Sequence, residues 1–172
     1  MKFEVVRMYS GALDGADPEV TAAFWKDVDK LNKSVSAASK VLNDAITKLK
    51  LMEAALERTP GNTGNLVQQL YDLKQELFAI DEQMNGNRSK NEVGEKNNPT
   101  VLSRLNNTIY GSFSSTYGPT ETLKRNLEIA GAQFTKLKGA LDNMINVKIP
   151  SVEKALIDAG APWISGQPIP GY

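Results

Sequence analysis

The sequence predicts an all-α fold: an antiparallel up-and-down bundle of four helices, two long and two short, with the last helix kinked near Pro150. Three observations predict it. Apolar residues recur in alternating steps of four and three over most of the chain, no alternating strand pattern follows residue 16, and the periodic stretches are separated by Pro, Gly and Asn clusters. A length of 172 residues fits one domain with a substantial core.

Residues 1–16 stand apart as an extended lead-in. Phe3, Val5 and Tyr9 alternate with polar neighbours before Gly11, Gly15 and Asp17-Pro18 break the pattern. One strand has no partner here, so it either pairs with an element of an upstream β domain or is poorly ordered. Residues 17–160 form the helical bundle. Its first helix opens with Asp17 as cap and Pro18 at the first turn, and carries Phe24, Val28, Leu31, Val35, Ala38, Leu42, Ala45, Leu49, Met52 and Leu56 on one stripe. It stops at Thr59-Pro60-Gly61.

A second helix opens near Asn62 or Thr63, buries Leu66, Leu70, Leu73, Leu77, Ile80 and Met84, and ends at Asn85-Gly86. Residues Asn87 to Asn98 are polar and read as a mobile, solvated loop. Pro99 begins a shorter helix with Leu102, Leu105, Ile109 and Phe113 facing inward. The last helix starts with Thr120 as cap and carries Leu123, Leu127, Ala130, Phe134, Leu137, Leu141, Ile145, Ile149, Val152 and Leu156. Pro150 lies inside that stripe, removes the bond to the Asn146 carbonyl and predicts a kink or break over Asn146–Pro150. Residues 161–172 are an irregular C-terminal tail rich in Pro and Gly. The two short helices either lie in series along the long pair or fold as a hairpin over half of it, which would leave a stripe for a homodimer or partner to cover.

Composition narrows the chemistry. The chain has no His and no Cys, which removes the usual structural zinc sites, haem proximal ligation and His-assisted nucleophiles. Twenty Lys+Arg balance twenty Asp+Glu, so no basic excess marks a nucleic-acid binder. No run approaches a membrane span, and Met1-Lys2 leads into no signal-peptide pattern. The carboxylates Asp27, Asp29, Glu53, Glu57, Glu76, Asp81 and Glu82 fall on polar helix faces, and Asp44–Lys48 and Glu121–Arg125 have the spacing of i,i+4 pairs. Gly61-Asn62-Thr63-Gly64-Asn65 lacks the Gly-Lys-Ser/Thr ending of a phosphate loop and reads as a turn. No catalytic, cofactor-binding or metal-binding residue emerges.

Aromatic residues give the one candidate surface. Tyr110, Phe113 and Tyr117, with Trp163 remote in sequence, either close one end of the bundle and staple the tail or form a docking surface together with Phe3, Val5 and Tyr9. A groove beside Pro150 is the alternative place for a small ligand or peptide.

Several segments resemble a known family. Ser34-Val35-Ser36-Ala37-Ala38, Pro99-Thr100-Val101-Leu102-Ser103-Arg104-Leu105, Tyr110-Gly111, Ser114-Ser115-Thr116 before Pro119-Thr120, Ile149-Pro150-Ser151-Val152-Glu153-Lys154-Ala155-Leu156 and Gly160-Ala161-Pro162-Trp163 are similar to the C-terminal helical region of large bacterial glycosyl hydrolase family proteins with BNR (Asp-box) repeats, the sortilin-like and sialidase-like propellers. The resemblance runs from residue 18 to 165 and rests on helix punctuation. It implies a propeller and a β-rich domain upstream, export to the periplasm, cell surface or medium, and no glycosidase residue in this chain. The Asp-box pattern Ser/Thr-x-Asp-x-Gly-x-x-x-Trp is absent from it.

Overall fold

The computed structural model describes residues 3, 4, 6, 14–61, 63–115 and 117–169, and all regular structure among them is helical. Helix α1 spans Pro18–Glu57, α2 Leu66–Asn85, α3 Arg88–Glu92, α4 Val101–Phe113, α5 Glu121–Asn143 and α6 Ile149–Asp158, with a π-helical turn Met144–Lys148 joining α5 to α6. The last three form one continuous run. Of the lead-in, Phe3, Glu4, Val6, Asp14, Gly15 and Ala16 are described and belong to no helix or strand. Val5 and Tyr9 lie outside the described residues, and with them most of the strand expected over Phe3–Tyr9.

The helix starts follow local chemistry. Asp17 accepts the Glu19 amide at 2.8 Å ahead of Pro18, satisfying a donor that the first turn leaves free. Thr120 accepts the Leu123 amide at 3.4 Å at the head of α5. Helix α4 begins at Val101 rather than Pro99, because Thr100 and Ser103 form a reciprocal capping box: Ser103 N donates to Thr100 Oγ1 at 3.1 Å and Thr100 N to Ser103 Oγ at 2.8 Å. Helix α2 likewise starts later than expected, at Leu66, after a turn with Gly61 and Gly64 at positive φ.

Pairs across the helices fix their directions. Glu53 binds Lys74 at 2.8 Å, and Ile46 shares a groove with Phe78; numbers fall on α1 as they rise on α2, so the two run antiparallel. Gly111 lies against Leu123, and Arg104 donates to Asn126 at 3.2 Å, so α4 and α5 also run in opposite directions. Lys48 binds Glu153 at 2.7 Å, while Leu31 shares a groove with Phe134; α1 and the α5–α6 run therefore point the same way. Helix α2 covers α1 as far back as Asn43, which shares a groove with Asn85, and α4 continues along α1 to Trp25, whose ring meets that of Phe113 at 5.0 Å. The short helices thus lie in series. They form one column against two long helices, the first of the two arrangements that the sequence left open.

The stripes meet in one core. All six apolar positions read on α2 are buried, as are Phe24, Val28, Val35, Leu42, Leu49 and Met52 on α1. Full burial of a Leu side chain contributes about 1.5–3 kcal/mol, so these rows account for the association of the long helices. Thr108 is also buried, its Oγ1 donating to the Arg104 carbonyl at 2.9 Å. That local bond removes the usual penalty on a buried hydroxyl.

Where a kink or break is expected near Pro150, the helix carries a π-helical turn, Met144–Lys148, and runs on without interruption. The Ile149 amide donates to the Met144 carbonyl, a bond that skips one residue more than an α-helix does. The stripe shifts with it: Leu141 and Met144 are buried, Ile145 is not, and Ile149, Val152 and Leu156 resume the row. One extra residue in the turn thus accommodates the proline ring and restores the register.

Residues 87–98 differ most from expectation. Instead of a loose loop they contain α3 and a clasp built on Asn97, whose Oδ1 accepts the Asn87 amide at 3.0 Å and whose Nδ2 donates to the Asn87 carbonyl at 3.1 Å and to Asn91 Oδ1 at 2.5 Å. Gly86, at φ +91°, lets the chain leave α2 directly under it; a Cβ there would lie 3.4 Å from Asn97 Nδ2. Surface pairing also differs from the sequence reading. Asp44 pairs with Lys40, Glu121 with Lys124, and Lys48 is drawn to Glu153 on α6.

Leu42→Ala, at a fully buried position facing the other columns, is expected to cost about 2–5 kcal/mol in urea unfolding. Asn97→Ala takes the acceptor from the Asn87 amide, while the Asn87 carbonyl keeps the Asn91 amide at 3.2 Å, and is expected to cost about 1–3 kcal/mol. Its distinguishing readout is faster hydrogen exchange confined to residues 86–100.

Candidate docking surface

Helix α4 ends at Phe113, where Ser112 and Ser114 turn their hydroxyls onto the Thr108 and Tyr110 carbonyls at 2.7 and 2.9 Å, and Gly118 then adopts φ +94°. This turn meets the start of α1. The Ala16 amide donates to the Tyr117 carbonyl at 2.8 Å, and Thr21 Oγ1 lies close to Gly118. Gly118 is required there twice over: its φ is left-handed, and a Cβ would fall 2.5 Å from Ala16 Cβ. The segment entering α1 is therefore fastened to the α4–α5 turn.

Three of the expected aromatics gather at this end. Tyr110 is 70% exposed and Phe113 75% exposed, with Tyr117 beside them on the same turn. Phe113 does not face inward as its place on the stripe predicts. One of its faces rests on Trp25, with the rings tilted by 51°, and the other meets solvent. Trp25 is the residue that the stripe reading missed. It sits next to the buried Phe24, one position off the a/d row, and its signal was that adjacency alone. Val20, half exposed, adds apolar surface in the first turns of α1. A large apolar side chain standing mostly in water contributes little to folding and is available to a partner.

The remaining expected members are elsewhere. Trp163 follows α6, on the far side of the Lys48–Glu153 pair from Trp25, so about 35 Å of α1 separates the two ends. Its indole donates to the Pro168 carbonyl at 3.1 Å, a bond within the tail, while Ile164 is the tail residue buried in the core. Trp163 thus folds the tail upon itself, and Ile164 fastens it to the bundle. Phe3 is exposed, and Val5 and Tyr9 are not among the described residues.

At the alternative place beside Pro150, Met144, Ile149, Val152 and Leu156 are packed into the core. Among the described residues, no helix is long and apolar enough to cross a membrane. Comparison with known proteins finds no matching family model, no matching curated protein and no matching solved structure.

Gly118→Ala combines a left-handed φ with the overlap on Ala16 and is expected to cost about 1–3 kcal/mol. Thermal unfolding measures the loss. Faster exchange of the Ala16 amide, with the α2 amides unchanged, places it at the fastening.

Proposed function

We propose that the chain is a non-catalytic helical scaffold, an up-and-down bundle that docks a neighbouring β domain through its Tyr110–Phe113–Tyr117 end. The observation that carries this reading is the bond from Ala16 to Tyr117. It ties the residue just ahead of α1 to the turn that follows the exposed Tyr110 and Phe113, so the attachment point and the apolar surface lie at the same end of the bundle. The resemblance to the C-terminal helical region of Asp-box propeller proteins supplies the occupant: a β-rich domain of the same secreted polypeptide, followed upstream by the propeller that holds any glycosidase chemistry. Tyr and Phe suit such a contact, because they provide large rigid area at low entropic cost.

The charge pattern supports an architectural role. The ion pairs that cross between helices, Lys74–Glu53, Lys48–Glu153 and Lys148–Glu76, join the columns of the bundle. They hold helices in register and converge on no shared pocket. A homodimer through the same aromatic end is the competing arrangement, and light scattering of the chain separates it: the docking reading expects a monomer.

The chain contains no Cys, so Phe113→Cys provides a single labelling site. The coding sequence upstream of residue 1 is expected to hold Asp-box repeats in the same reading frame. In that longer polypeptide, thiol labelling of Phe113→Cys should slow at least about tenfold relative to the 172-residue chain. Equal labelling rates, or an upstream sequence without a β domain, overturn the reading.

A further inference from the structure

An open groove of about 540 Å³ runs from the connection between α2 and α4 along the first turns of α4 to α5. This volume lies within the range of small-molecule sites. Apart from Pro99, every residue that lines it is polar, with asparagines contributed by each element around it. Arg104 supplies its one charge, and that charge is uncompensated: the lining holds no Asp or Glu, and Arg104 is in no ion pair among the described residues. Arg104 Nη1 donates to Asn126 Oδ1 at 3.2 Å, which ties the guanidinium to α5. Its Nε is enclosed and has no partner, so contact with a ligand falls to the Nη nitrogens. Three amides stand ready around it. The side chains of Asn98 and Asn107 are exposed and make no hydrogen bond among the described residues, and that of Asn126 uses only its oxygen. Asn107 lies three positions beyond Arg104, on the same side of α4.

An arginine without a counter-ion attracts an anion, and its planar fork matches a carboxylate. A primary amide offers one acceptor and two donors, which suit a hydroxyl that both donates and accepts. With Pro99 as the only apolar side chain in the lining, an aromatic or aliphatic ligand would gain little from burial there. A ligand that is polar on every side and carries one negative charge meets both conditions. We propose that this groove binds an acidic sugar, a uronate or a short uronate-containing saccharide, with its carboxylate on Arg104 and its hydroxyls on Asn98, Asn107 and Asn126. The clasp holds one wall in place, since Asn97, next to Asn98, is bonded to the Asn87 backbone. The site is independent of the aromatic docking end, so either can fail alone.

The test is an amide-resolved NMR titration of the full chain with D-glucuronate and digalacturonate. At least one is expected to give saturable shifts of the Asn98, Asn107 and Asn126 side-chain amides. D-Glucose, which lacks the charge, and acetate, which lacks the hydroxyls, should bind at least about tenfold more weakly. D-Glucose 6-phosphate separates a phosphate site from a uronate site and should bind more weakly than D-glucuronate. Arg104→Gln should weaken the uronate by about tenfold, to the level of D-glucose. Asn107→Ala, at an exposed position, should weaken the uronate by about threefold and leave acetate unchanged, which keeps the test sharp if the Arg104 variant unfolds. Absence of saturable shifts with both uronates up to about 10 mM overturns the proposal. So does equal binding of D-glucose or acetate, tighter binding of D-glucose 6-phosphate, or indifference to both substitutions.

Discussion

Two long apolar stripes that run the same way must be covered along their whole length, and the rest of the structure follows from how this is done. Helix α1 is 40 residues long, about 60 Å, and α5 with its π turn and α6 forms a run of similar length. The covering column is divided between α2 and α4, of 20 and 13 residues. Its weak point is therefore the gap between them. The Asn97 clasp, the positive φ of Gly86 and the capping box at Thr100 close that gap. Without them the middle of both stripes would face water, with a loss per exposed side chain that a marginally stable domain cannot absorb.

The same division creates both surfaces of interest. Closing the column in the middle leaves a cavity of about 400 Å³ lined by Gly86, Asn97, Thr100, Val101, Gln133 and Leu137, beside the groove of Asn98 and Arg104. At the end of the column Gly111 faces Leu123 of α5, while Tyr110 is exposed and Phe113 stands against Trp25 and solvent. The aromatic end is tied to the entering chain by one backbone bond, whereas the cavity is enclosed by α2, α4 and α5.

How much of this was legible depends on the range of the interaction. The α2 stripe was read residue by residue, because each position is set by helical periodicity and burial on one side. The caps at Asp17 and Thr120 were equally plain, being bonds between residues two or three apart. Phe113 was misplaced because its ring meets α1 at Trp25, one position off the buried row, and stays largely in solvent. The clasp was invisible for a related reason: Asn97 is one of several asparagines in a polar stretch, and only the approach of Asn87 and Asn91 distinguishes it. Pro150 announced a disturbance, yet its form as a π turn depended on recovering the buried row at Ile149.

By itself the sequence determined the all-helical class, the boundaries set by short-range capping, and the rows that enter the core, since these depend on periodicity and on neighbours within a turn. It also determined that His or Cys chemistry is absent. Tertiary structure decided that the short helices lie end to end, that Trp163 sits far from the other aromatics, and that Lys48, Lys74 and Lys148 reach carboxylates on other helices. Those outcomes depend on contacts between residues twenty to more than a hundred positions apart, such as Lys74 with Glu53 and Lys48 with Glu153. Their geometry exists only once the columns have packed.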